Sequence, residues 1–251
     1  MAKTIAIAGK GGVGKTTIAA LFVKYLSRKG VVLAIDADPS ANLNQALGTP
    51  ITETIGSIRE RLEEMKKGGT FSPGITKKEF LDLRIREAIV ETDRVDLLAM
   101  GRPEGPGCYC AVNNMLRSII DYITSSYDYV VIDCEAGMEH ISRQTTHDVD
   151  YLIIISDPTL RSLTAAIGIK NLISELRAKT GKITLVINRV ARELPQEIWN
   201  LIEKAGLSPA FTILEDKELY DLEMRGKPVI ELSEETVLQK GIDHLVSSLG
   251  L

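Results

Sequence analysis

The chain has 251 residues, of which 44% are hydrophobic and 25% charged, with a formal net charge of −4. That length and apolar content suffice for a buried core and exclude a disordered chain, and the weak acidity offers no footprint for a nucleic-acid backbone. Three cysteines, an odd number, argue against a disulfide framework.

Short β-branched runs recur at residues 4–8, 31–35, 95–99, 129–132, 152–155 and 183–187. Helical periodicity fills most of the intervals, at 17–29, 112–123, 162–177 and 197–204. Strands apolar throughout and alternating with helices predict an α/β fold, a single doubly wound, mostly parallel sheet with helices on both faces. The first run is too short for a secretory signal, and no run nears the ~20 residues that cross a bilayer. A cytoplasmic protein without membrane or nucleic-acid partners is therefore expected. Residues 1–251 read as one domain, since no Pro/Ser-rich linker divides them. The charged segment 52–92 breaks the rhythm, with a capping box at Thr76-Lys-Lys-Glu79, and reads as a helical excursion on one sheet edge.

The first strand runs into Gly9-Lys10-Gly11-Gly12-Val13-Gly14-Lys15-Thr16-Thr17 and then a helix, which is the strand–loop–helix context of a phosphate-binding loop. Its glycines let the backbone N–H groups of residues 11–17 turn inward around phosphate, and the helix N-terminus adds its positive dipole end. Lys15 would neutralise the β- and γ-phosphates, and the Thr16 hydroxyl would ligate Mg²⁺. After the second strand comes Asp36-Ala-Asp38-Pro-Ser-Ala-Asn42, and the run at 129–132 ends in Asp133. A carboxylate beside the γ-phosphate can hold a water in line for attack. Asp36 has the alternative of capping the following turn, and the division of roles between Asp36 and Asp38 is open.

The second lysine in the loop, Lys10, gives KGGVGKTT the deviant form. The chain here resembles the ATPase family that contains the nitrogenase iron protein, MinD, ParA and the carbon monoxide dehydrogenase maturation ATPase. That resemblance implies an ATP-sandwiched homodimer in which Lys10 reaches the partner's nucleotide. It also implies that Asp38 orients the attacking water and that Asp133 holds Mg²⁺ through water. By the same resemblance Cys134-Glu-Ala-Gly137 is a second switch, and Asn188, in Val186-Ile-Asn188-Arg189, reads the adenine ring. Relatives carry proline after the isoleucine near Ile213-Leu214-Glu215-Asp216, and this chain does not.

The stretch GPGCYC, residues 105–110, uses two of the three cysteines, a spacing expected by chance only a few times in a hundred. A disulfide between Cys108 and Cys110 would close a small, strained ring, whereas two thiolates suit a soft or borderline cation. They supply half of a four-sulfur site, and two copies across a dimer axis would complete it. MGRPEGPGCYC with DCEAGMEHISRQTT closely resembles the CooC-type maturation ATPases of carbon monoxide dehydrogenase and acetyl-CoA synthase. The resemblance implies an ATP-hydrolysing nickel chaperone, with Cys108 and Cys110 binding Ni²⁺ or adventitious Zn²⁺, and either enzyme as its client. Two rivals are an iron–sulfur reductase, in which Cys134 would be the second ligand, and a positioning ATPase like MinD or ParA. A MinD-type protein ends in a basic amphipathic helix; here residues 234–249 place Val237, Leu238, Ile242, Leu245 and Leu249 on one side, but Glu, Asp and Ser on the other. The histidines His140, His147 and His244 show no ligand spacing.

Overall fold

The structure, a computed structural model, describes residues 2–67, 77–101, 126–134, 148–175, 179–208 and 210–251. Among them, seven parallel strands form one sheet: β1 (Lys3–Gly9), β2 (Val32–Ala37), β3 (Val95–Ala99), β4 (Tyr129–Cys134), β5 (Asp148–Ser156), β6 (Lys179–Val190) and β7 (Phe211–Leu214). Their order is β3-β2-β4-β1-β5-β6-β7, and every ladder is parallel. The predicted doubly wound sheet is what forms.

Alternation along each strand divides the core into two layers. Ala6, Ala8, Ile35, Ile132 and Ile154 face one side, against α3 (Ile55–Lys67), α4 (Lys77–Ala88), α5 (Leu160–Glu175) and α6 (Gln196–Lys204). Ile5, Ile7, Ala34, Val131 and Ile155 face the other, against α1 (Lys15–Ser27), α2 (Leu43–Leu47) and α8 (Val237–Leu249). A further helix, α7 (Lys217–Met224), follows β7 and buries no residue. The excursion at 52–92 is helical as expected, with Ile55, Ile58, Ile85 and Ala88 closing over the β2–β3 edge. Thr76 of its capping box and the expected helix at 112–123 lie outside the described residues.

Helix α8 corrects the expected apolar stripe. Thr236 caps it, its side chain accepting from the Gln239 amide at 3.2 Å, so Val237 falls in the first turn and is 53% exposed. Gln239 and Val246 are buried with Leu238, Ile242, Leu245 and Leu249. Lys29 Nζ donates to the Leu251 carbonyl at 2.5 Å and Lys3 Nζ to that of Gly250 at 2.9 Å, which ties the end of this helix to the turn after α1 and to β1. Among the described residues no helix is long and apolar enough to cross a membrane.

Candidate functional site

Parallel strands present their C-terminal ends together, and in open α/β sheets ligands bind in the crevice there. β1 exits at Gly9, whose place opposite Ile155 leaves no room for a side chain: a Cβ would stand 2.3 Å from the Ile155 carbonyl oxygen. The loop then reaches Gly14, which caps α1 at φ 93°, a left-handed value that glycine adopts without strain. A Cβ on Gly14 would lie 2.5 Å from Asn188 Nδ2. Lys15 is only 8% exposed, with Nζ 3.5 Å from the Lys10 carbonyl, and Lys10 itself is half-buried.

The β2–β4 register sets Asp36 directly beside Asp133. Thr16 Oγ1 donates to Asp133 Oδ2 at 2.6 Å, and Asp133 Oδ1 is buried with no partner. A half-buried hydroxyl and a buried carboxylate with a free oxygen, at the head of a phosphate loop, are hard-oxygen donors that fit Mg²⁺. Asp36 organises the turn that follows. Its Oδ1 accepts from the Asp38 amide at 3.1 Å and its Oδ2 from the Leu43 amide at 2.8 Å. Inside that turn Ala41 takes φ 47°. Asp38 is half-exposed and accepts the Ser40 amide at 2.8 Å. The choice left open by the sequence is thereby narrowed: Asp36 is the turn-capping carboxylate, and Asp38 is the one turned toward solvent at the site.

Burial, first, pushes Asp133 up to about 7 and Asp36 up to about 6. Between the ordinary carboxylate value near 4 and these raised values, the folded chain holds protons on these carboxyls that unfolding releases. Their contribution is therefore fully present below that value and is lost as pH rises through 6 and 7. Nucleotide-free and Mg²⁺-free protein should lose about 2–4 kcal/mol of unfolding free energy between about pH 5 and pH 8, measured by denaturant titration. Mg·ADP should flatten that slope, because a cation at Asp133 favours the carboxylate.

The other wall comes from β6 and β7. Asn188, 6% exposed, donates from Nδ2 to the Val13 carbonyl at 2.9 Å, leaving its Oδ1 as the acceptor beside a pocket lined by Leu214, Glu215, Leu219 and Tyr220. Arg189 donates from Nη1 to the Gly12 carbonyl at 2.9 Å. The sequence assigns Arg189 no role and does not reach the pocket residues of α7, while Leu214, Glu215 and Asp216 stand in the stretch where relatives carry proline. The signal for the first was its place beside Asn188; the short β7 carries almost none.

The remaining candidates fall elsewhere. Cys108, Cys110, Glu135, Met138, Glu139, His140 and His147 lie outside the described residues. Among the described residues no group of three or more His, Cys, Asp or Glu could hold a metal ion. Cys134 is 2% exposed in the core, and burial pushes its thiol up to about 12, which disfavours the thiolate that a cluster ligand requires. His244 stands edge-on to Phe211 with ring centroids 6.4 Å apart.

Comparison with known proteins places these features. The family described as "AAA domain" matches residues 2–187. An uncharacterized ATP-binding protein of Methanocaldococcus jannaschii is 42% identical over 246 residues, covering 98% of this chain and 97% of that one. The carbon monoxide dehydrogenase accessory protein CooC of Rhodospirillum rubrum is 36% identical over 214 residues, covering 80% and 79%. Among solved structures, a ParA family ATPase from Chlorobium tepidum superposes with a TM-score of 0.73 at 22% identity, covering 98% of each chain, which is a likeness of fold.

Proposed function

Given that the chain belongs to the AAA-domain family of ParA- and MinD-type P-loop ATPases, we propose that it uses ATP to load nickel into a client enzyme's metal cluster. The observation that carries this reading is the Cys108-Tyr-Cys110 pair in a chain so like the carbon monoxide dehydrogenase accessory protein. Carbon monoxide dehydrogenase or acetyl-CoA synthase is the client this implies. Nickel is the cargo, held by two thiolates from each of two chains, and borderline cations favour such sulfur ligands.

In this reading residues 11–17 and Lys15 hold the triphosphate, and Lys10 extends toward the nucleotide of a second copy. Mg²⁺ when bound supplies charge neutralisation at the β- and γ-phosphates, and Thr16 and Asp133 are the residues that would hold it. Asp38 orients the attacking water, on a turn that Asp36 keeps in shape. Asn188 Oδ1 accepts from the exocyclic amine of adenine; guanine would set its carbonyl oxygen against that same acceptor, so ATP is preferred over GTP. Closing two chains over two nucleotides brings the groups at the twofold axis together, and hydrolysis thereby changes the grip on the metal.

A positioning ATPase is the second reading, favoured by the ParA likeness of fold. Against its MinD form stands α8, whose Leu238, Ile242, Leu245, Val246 and Leu249 are buried against the sheet and not free for lipid. Native mass spectrometry of protein purified without oxygen, given Ni²⁺ and a non-hydrolysable ATP analogue, separates the readings. The expected species is a dimer with one nickel, absent in a Cys108→Ser/Cys110→Ser variant. A nucleotide-bound dimer without metal would leave the positioning reading, and a four-iron cluster would indicate a reductase.

A further inference from the structure

Strand β6 does something unusual where it meets the phosphate loop. Its ladder with β7 pairs Ile187 with Thr212 and Val190 with Leu214, so Asn188 and Arg189 together stand opposite one residue, Ile213. That is a β-bulge, which re-aims side chains and is frequent beside functional sites. In a regular strand two consecutive side chains point to opposite faces. Here both reach the same loop: Asn188 Nδ2 meets the Val13 carbonyl and Arg189 Nη1 the Gly12 carbonyl, each at 2.9 Å. Arg189 does so at φ 58°, a left-handed value costly for a residue with a long side chain.

The two carbonyls are consecutive, and that matters for phosphate binding. A loop that aims its N–H groups inward must aim the carbonyls of the same peptide planes outward, where they need donors. We propose that Arg189 is a positioning residue for ATP: through the bulge and its strained backbone it fixes the Gly12 carbonyl outward, and so holds the phosphate cradle in its binding geometry. Asn188 performs the same service at Val13 while also facing the base pocket. Arg189 borders that pocket as well, but its bond runs to the loop, so it acts on the phosphates through Gly12.

The inference rests on the chain's binding of ATP and is tested with full-length protein carrying Arg189→Gly or Arg189→Lys. Glycine relaxes the left-handed backbone and removes the donor, whereas lysine keeps a cationic donor. Arg189→Gly should weaken ATP and ADP about fivefold by calorimetry, and raise KM by a similar factor, since one charge-assisted hydrogen bond is lost at an exposed position. Its kcat at saturation should stay within about twofold, because uniform binding lowers KM alone. The thermal midpoint should be unchanged or higher, the ATP-to-GTP preference unchanged, and Arg189→Lys should recover most of the affinity. Wild-type affinity in Arg189→Gly would overturn the proposal, and so would a lowered thermal midpoint, which marks a contact that only holds the fold. A changed ATP-to-GTP preference would also overturn it, since Arg189 would then be reading the base. Failure of the wild type to bind ATP at all would instead overturn the nucleotide reading beneath it.

Discussion

Lys15→Ala should abolish ATP hydrolysis, lowering kcat/KM by about 10³-fold or more, the range seen when a cation or donor is removed from a phosphoryl-transfer site. Lys15 is the buried cation of the site, 8% exposed at the first turn of α1, next to the Thr16 hydroxyl that bonds Asp133. A buried charge acts in a low effective dielectric, where it is worth far more than in water. Its loss also removes a positive neighbour from Asp133, whose carboxyl is already pushed up to about 7. The variant should therefore bind Mg²⁺ less well at neutral pH. A phosphate-release assay at ATP well below KM checks the first point, and the same assay across Mg²⁺ concentration checks the second. Hydrolysis within tenfold of wild type would remove Lys15 from the chemistry.

Gly14→Ala should be nearly as damaging, and for a different reason. The added methyl meets Asn188 Nδ2 at 2.5 Å, and φ 93° is itself strained for any residue with a Cβ. Asn188 cannot simply swing aside, because its amide is the donor to the Val13 carbonyl and it is buried beside the base pocket. One methyl thus disturbs both the phosphate loop and the base-facing wall. ATP affinity should fall about 100-fold and stability by about 2–3 kcal/mol, combining left-handed strain with a displaced buried amide. Calorimetry and denaturant unfolding measure the two. A stability loss without an affinity loss would show that the loop tolerates the shift.

Much of this site was legible before the fold. The phosphate loop, Asp36, Asp38 and Asp133 each follow a β-branched run, and a parallel sheet gathers the ends of such runs automatically. What the one-dimensional pattern could not carry was lateral register. That Asp36 sits level with Asp133, or that Thr16 bonds Asp133 across 117 positions of chain, follows from strand pairing. The end of β2 also runs past the expected residue 35, through Asp36 to Ala37, because the ladder persists past the last β-branched residue. The four-residue β7 and the exposed helix α7 went unassigned, since neither carries a long apolar period. Arg189 was missed for the same reason that makes it informative, as a bulge reverses the facing that strand alternation predicts.

The turn at Ala41 bears on how this protein would respond to selection. Ala41 and Arg189 are the non-glycine residues with left-handed backbone among those described, one in the turn that carries Asp38 and the other bonded to the phosphate loop. A programme that screened variants for heat resistance alone would find glycine or asparagine attractive at either place, each relieving about 1 kcal/mol of backbone strain. At Ala41 that relief would slacken the turn carrying Asp38, and at Arg189 it would free the loop carbonyl. The enriched variants would outlast the parent at high temperature, those at Ala41 turning over ATP more slowly and those at Arg189 binding it more weakly. Heat tolerance and catalytic competence draw on the same few backbone angles here, and those angles mark where the chain resists being both.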